Sequence, residues 1–175
     1  MSTLRTNNAP ETVTRLLDMG MDPFNFADAL LGVLAQRLVR RLCMQCRSGF
    51  EASAEDVEEL LRDHLHVLRD VEPPPDAANV LADWQRRFGS DGRLTLYRSV
   101  GCERCDGSGY HGRAGIHELM MVTPALRHLI QTGARADELQ RHALSNGMQT
   151  LRQDGIEKVL AGITTIDEVR ASSNC

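Results

Sequence analysis

Apolar residues recur along the chain in two rhythms. Between Phe24 and Leu38 a greasy run is interrupted by Asn25, Asp28, Gln36 and Arg37. Within it Ala27, Leu30, Leu31, Leu34 and Leu38 fall at the three-and-four spacing that gathers one stripe on a helix face. The pattern predicts an amphipathic helix there, opened by Asp22 and Pro23. A first helix precedes it, from about Pro10 to Met19, and Gly20 stops it. Leu38 to Leu42 instead alternates apolar residues with arginine. That suits a strand as well as a helix end, and it places the boundary near Gln36.

The middle of the chain changes character and has the texture of an insertion. Ser53 is placed to cap a helix with Val57, Leu60, Leu61, Leu65 and Leu68 inward, while Glu55, Asp56, Glu58 and Glu59 load its first turns with charge that the helix dipole favours. Those acids form a solvated outer face. Pro73, Pro74 and Pro75 end the segment. Val80, Trp84 and Phe88 then line another helix, with Trp84 in the core, and Leu94 to Arg98 alternates like a strand after a turn at Asp91 and Gly92. From Gly112 onward, Ile116 to Val122 predicts a strand and Thr123 with Pro124 opens a helix. Gly133, Gly147 and Gly162 stand where helices end, and Thr165 with Glu168 has the form of a capping box.

Composition narrows the function classes. The 175 residues carry 20 basic and 24 acidic side chains, net −4, with 42% hydrophobic content, an ordinary globular balance that disfavours charge-driven nucleic-acid binding. All the basic residues but Lys158 are arginine, a bias that codon usage explains and that carries no functional weight here. No signal-peptide pattern opens the chain and no apolar run reaches the roughly 18 residues of a membrane span, so the expectation is a cytosolic protein that meets membranes only through partners.

The chemistry-bearing residues are cysteines. Cys43 and Cys46 form one C-x-x-C pair, Cys102 and Cys105 a second, and Cys175 is a bystander. Two such pairs in a cytosolic chain point to a tetrahedral thiolate site for zinc, because each two-residue gap lets both sulfurs face one ion. Gly49, Gly107 and Gly109 supply the tight turns a metal knuckle needs. The 55 residues between Cys46 and Cys102 exceed the compact ribbon spacing. Closing such a loop costs about 3–4 kcal/mol, against on the order of 10–16 kcal/mol from a structural zinc. Two disulfides or four unligated thiols are the competing readings, spacing alone leaves iron open, and His111 is the nearest substitute ligand. A closed four-sulfur site keeps no open position, so it argues structure rather than catalysis.

Nucleotide and hydrolase motifs are missing. There is no G-x-x-x-x-G-K-[ST], no lysine before position 158, no G-x-S-x-G and no H-E-x-x-H; His117 beside Glu118 is an isolated pair on a strand. No intrinsic catalytic centre is expected.

The runs Ala9–Gly20 and Ala35–Arg40, the exit Gly101–Tyr110 followed by Gly112–Glu118, and Thr123–Ile130 with Gly147–Leu151, Asp154, Gly155, Lys158 and Gly162 together resemble the carboxyl-terminal part of the type II secretion and type IV pilus assembly ATPases of the GspE/PulE type. The resemblance implies an α+β, mostly helical chain. Residues 1–42 would be the tail of a RecA-like α/β ATPase core, 43–110 an inserted tetracysteine zinc-binding subdomain and 111–175 a returning strand with a C-terminal helical bundle. It implies that the strand near Gln36–Arg41 pairs with that near Arg113–Leu119. It also implies Zn2+ on Cys43, Cys46, Cys102 and Cys105, with ATP and Mg2+ bound only by the full-length parent, a hexamer working at the inner membrane with platform proteins. Ser2 to Asn7 resembles the family's histidine box, with Arg5 where a histidine is usual, a degenerate cofactor-binding position at which a fixed cation would still pair with phosphate. The alternative is a free-standing zinc-dependent protein-binding or chaperone-like module, since Cys102, Cys105, Gly107 and Gly109 spell one chaperone-type cysteine repeat. A zinc ribbon for nucleic acid fits less well, because residues 51–72 hold eight acids against Arg62 and Arg69.

Overall fold

The computed structural model describes residues 1–174; Cys175 lies outside them. Helix α1 (Ala9–Asp18) starts where the Asn8 side chain accepts the Glu11 amide at 2.9 Å, with Pro10 in its first turn. Helix α2 (Pro23–Ala29) starts in the same way, on the Asp22 carboxylate, but it lasts only seven residues.

The long amphipathic helix expected up to Leu38 does not form. Leu30 leaves α2 in an extended conformation, and Gly32–Leu42 is strand β1. The spacing that suggested a helix is even: Leu34 and Leu38, four apart, share a face of a strand as well as of a helix. In the structure that face looks outward, and Val39, with Ala35, fills the core instead.

β1 pairs antiparallel with β4 (Tyr110–Met121), Leu34 opposite Leu119 and Arg40 opposite Arg113, with an irregularity between Arg40 and Leu42. This is the pairing the family resemblance implied. A second small ladder joins β2 (Ser48–Glu51) to β3 (Thr95–Arg98). Gly49 belongs to this ladder, opposite Tyr97, and not to a metal knuckle.

The remaining elements are helices with local reasons for their ends. α3 (Ala54–Leu65) has a reciprocal box between Ser53 and Asp56, and α4 (Ala77–Phe88) is capped by Asp76. α5 (Pro124–Gln131) follows Thr123, and α6 (Ala136–Ser145) leads to α7 (Leu151–Leu160), boxed by Thr150 and Gln153. The last helix, α8 (Ile166–Ser172), takes its cap from Thr165, but the Glu168 carboxylate turns away to Arg40, so the expected box is one-sided.

Two cores result. One joins α1, α2, α5 and α6 to the inner face of β1 and β4 through Val13, Ala27, Val39, Ile116, Met120, Leu126, Ile130 and Leu139. The other gathers Leu60, Trp84, Leu94 and Leu96 from the middle of the chain onto Ile156, Val159 and Leu160 of α7 and Val169 of α8. Trp84 is 1% exposed, and burying a side chain of this kind contributes about 1.5–3 kcal/mol or more. Helix α7 therefore has core on several sides. Its Gly155 lets α8 approach so closely that an added Cβ would sit 2.4 Å from Val169 Cγ1. Among the described residues no helix is long and apolar enough to cross a membrane.

Candidate metal centre

The end of β1 delivers the first cysteine pair and the start of β4 receives the second. Leu42 and Cys43 are fully buried. The Cys43 carbonyl accepts the amides of Cys46 at 3.3 Å and Arg47 at 2.9 Å, a tight turn that swings both sulfurs to one side. The second pair repeats this: the Cys102 carbonyl accepts from Cys105 at 3.3 Å and Gly107 at 2.9 Å. Asp106 has φ 53° and Gly109 φ 80°; a Cβ on Gly109 would lie 2.9 Å from the Ser99 backbone, so this exit turn requires glycine. A bond from the Cys43 amide to the Gly109 carbonyl, 2.9 Å, ties the two turns together.

The four sulfurs converge. Cys43 Sγ lies 3.8 Å from Cys102 Sγ, Cys46 Sγ 3.8 Å from Cys105 Sγ, Cys102 Sγ 3.7 Å from Cys105 Sγ, and all four fall within 4.8 Å of one another. A tetrahedron with 2.3 Å metal–sulfur arms has edges of about 3.8 Å. A disulfide needs about 2.05 Å. The four cysteines are free thiols positioned to bind one metal ion.

Backbone amides supply the complementary field. Gly101 donates to Cys46 Sγ at 3.3 Å, and Cys102 and Gly109 both donate to Cys105 Sγ at 3.2 Å. Burial resists ionisation of Cys105, but the two amides together with hydrogen bonds from the Cys102 and Cys46 thiols outweigh it and bring this thiol down to about 6, whereas burial pushes Cys46 up to about 11.

His111 is exposed at the start of β4 and is not part of the cluster. Arg5 belongs elsewhere. It lines a cleft of about 950 Å3 with Arg15, Arg37, Thr3, Thr6 and Asn7. Arg37 holds that segment by donating to the Thr6 and Asn7 carbonyls. Arg37 is six residues before Cys43 on β1, about 20 Å at strand rise, so the structure does not bring Arg5 to the sulfurs.

Two connecting residues escaped the sequence reading. Glu118, 2% exposed, accepts the amide of Ala9 at 2.7 Å and that of Leu151 at 3.2 Å, and so caps α1 and α7 with one carboxylate. The available signal was its inward register between Ile116 and Met120, an acid on the apolar side of an alternating strand. Arg47, next to the first knuckle, stacks 4.0 Å over the Tyr97 ring and donates to the Gly162 carbonyl, fastening the metal end to the turn after α7.

Known proteins place these features in a family. Residues 1–171 match the family described as Type II/IV secretion system protein. The chain is 42% identical over 175 residues to the type IV pilus assembly ATPase PilB of Thermus thermophilus, a match covering 98% of this chain and 16% of that protein. It is 41% identical over 169 residues to the type II secretion system ATPase E of Vibrio cholerae, covering 97% of this chain and 28% of the relative. PilB of Myxococcus xanthus is also 41% identical over 169 residues, 26% of its length. The chain thus spans between about a sixth and just over a quarter of these curated relatives. Sequence and tetracysteine geometry agree: this chain belongs to the type II/IV secretion system protein family.

Proposed function

We propose that this chain is the zinc-stabilised C-terminal segment of a type II secretion or type IV pilus assembly ATPase, cytoplasmic and held at the inner membrane through partners. In this reading residues 1–42 close a RecA-like core, 43–110 are the zinc subdomain, and 111–175 return to the core and form the helical end. ATP and Mg2+ are bound by the parent hexamer, and this segment serves subunit and platform contacts without catalysing hydrolysis itself. Cys43, Cys46, Cys102 and Cys105 hold the ion. Zinc supplies a closed tetrahedral cross-link there and no open position for a substrate.

One observation carries the reading: sulfur separations of 3.8 Å between two turns that are 59 residues apart in the chain. The residues do the rest. Amides from Gly101, Cys102 and Gly109 stabilise negative charge on sulfur, and the Cys43–Gly109 bond closes the base of the excursion from which β1 leaves and to which β4 returns.

The test is metal content with stability. The purified, reduced chain is expected to carry one zinc by atomic emission, and Cys102→Ser to lose most of it together with a clear fall in melting temperature. A Cys102→Ser protein that keeps one zinc per chain, or a wild type that is metal-free and fully folded, would overturn the assignment.

A further inference from the structure

In the second core the middle of the chain meets α7, and one side chain in that seam is left unsatisfied. His64 lies in the last turn of α3. Among the described residues its Nδ1 is the buried side-chain nitrogen or oxygen with no hydrogen-bond partner, where such atoms are ordinarily paired. The ring is held in place all the same. It stands edge-on to Trp84 of α4, the ring centres 5.4 Å apart and the planes at 86°, and Trp84 is fully buried. The His64 carbonyl accepts the Gln153 side-chain amide of α7 at 3.0 Å. One residue thus touches both sides of the seam.

A cleft of about 320 Å3 opens beside the ring, and the charged groups that line it are Asp76, Asp83 and Arg87 at the start and in the body of α4, and Glu157 from α7. Each of these acids is already engaged. Arg87 donates to Glu157 at 2.7 Å and to Asp83 at 3.1 Å, and Gln149 donates to the same Glu157 oxygen at 3.1 Å. Arg86 donates to the other Asp83 oxygen, and Asp76 accepts the Ala78 amide at 3.0 Å to cap α4. A second proton on the ring therefore puts a charged donor at Nδ1, buried and without a partner of its own. Burial holds His64 below the ordinary histidine range, although Glu157 and Asp83 pull the other way.

We propose that His64 is a proton-operated latch: with its imidazole neutral, α3 and α4 are closed on α7, and protonation releases them while the β1–β4 sheet and its helices stay folded. The open seam, in which the ring meets water, binds this proton more readily than the closed one. Closure is therefore fully stable above the ordinary histidine value near ~6.5 and weakens as pH falls below it. Histidine is the side chain whose unperturbed charge change falls in this window. None of the four cysteines takes part, so the latch does not depend on the assignment of the metal. The first core contains no residue of the seam, which is why the release is local.

Trp84 is the only tryptophan in the chain, so its emission reports on the seam. Between pH 7.5 and 5.5 the emission maximum of the purified, reduced chain is expected to move to longer wavelength. Amides of α4, corrected for the direct effect of pH on exchange, are expected to open about threefold or more over the same range, and those of β1 bonded to β4 to stay protected. His64→Phe and His64→Gln do not titrate and should hold both readouts constant. A variant that opens along the wild-type pH curve would overturn the proposal. So would a wild-type spectrum that dims without shifting, which is quenching by a charged ring in a closed seam. Zinc measured at each pH separates the metal from the latch: a shift that follows zinc loss equally in wild type and variants makes the cysteines its source and defeats His64. The wild-type ring signal, followed by NMR, is an independent check, since titration at or above the ordinary histidine range in the closed chain would also overturn the idea.

Discussion

Replacing Glu118 is the sharpest probe of how the ladder is joined to the helices. Its carboxylate accepts from Ala9 and Leu151, the opening residues of α1 and α7, in an environment that leaves it 2% exposed. Glu118→Ala strands two buried donors, each costing about 1–3 kcal/mol, so a loss of about 4 kcal/mol follows. For a chain of this length that lowers the melting temperature by about 8–16 °C. Glu118→Gln keeps the shape and one acceptor but turns its NH2 toward the second amide, so it should cost about 1–3 kcal/mol, less than Ala because only one donor is stranded and a charge that burial disfavours is removed. Burial raises the Glu118 pKa against the lowering effect of the two amides. The folded chain therefore binds this proton more readily than the unfolded one. The stability this gives is complete below the ordinary carboxylate range near ~4.3 and is lost as pH rises through the raised value. Glutamine does not titrate, so wild type should gain on the Gln variant as pH falls toward 4. Thermal melts followed by circular dichroism, at pH 7 and across that window, decide it. An Ala variant melting within about 2 °C of wild type, or a Gln variant as damaged as Ala, would refute the double-cap account.

Two further predictions concern α7 and its neighbours. Gly155→Ala gains about 1 kcal/mol in helix propensity but forces a methyl against Val169, which is fully buried, at an overpacking cost of about 1–3 kcal/mol; urea unfolding should show a net loss, and a double-mutant cycle with Val169→Ala should show favourable coupling, strict additivity being the contrary result. Burial pushes the Glu157 and Glu168 carboxyls up, but hydrogen bonds from Arg87 and Gln149 to the first, and from Arg40 to the second, more than reverse this and hold both below the usual range. Their contribution is present above the ordinary carboxylate pKa and lost as pH falls through the depressed values, opposite in sign to Glu118. Urea midpoints from pH 6 to 3 should fall less steeply in Arg40→Met, and an unchanged slope would remove Glu168 from the account.

What was legible in the sequence was whatever local chemistry decides. Asp22, Ser53 and Thr123 satisfy amides within three residues of themselves, so those helix starts could be placed closely. The cysteine quartet was equally visible, because a two-residue gap fixes how a pair of sulfurs turns, and the ion's need for four of them joins pairs that sequence distance separates. Glu118 was opaque for the converse reason: the amides it serves lie 109 and 33 residues away, and nothing beside it in the chain announces them.

The misread helix between Leu30 and Leu38 has a different cause. A strand with one wet face alternates polar with apolar residues, and alternation is what separates strand from helix on paper. β1 carries Val33, Ala35 and Val39 toward the core and Leu34 and Leu38 away from it, so its alternation is erased over the first two-thirds of its length and restored only where Arg40 begins. Strands buried on both faces have this continuous apolar composition. The residues that defeated the sequence reading are therefore the ones left uncovered in the structure, and a single cause accounts for both: β1 has the composition of an interior strand, set in a segment that supplies cover for only one of its faces.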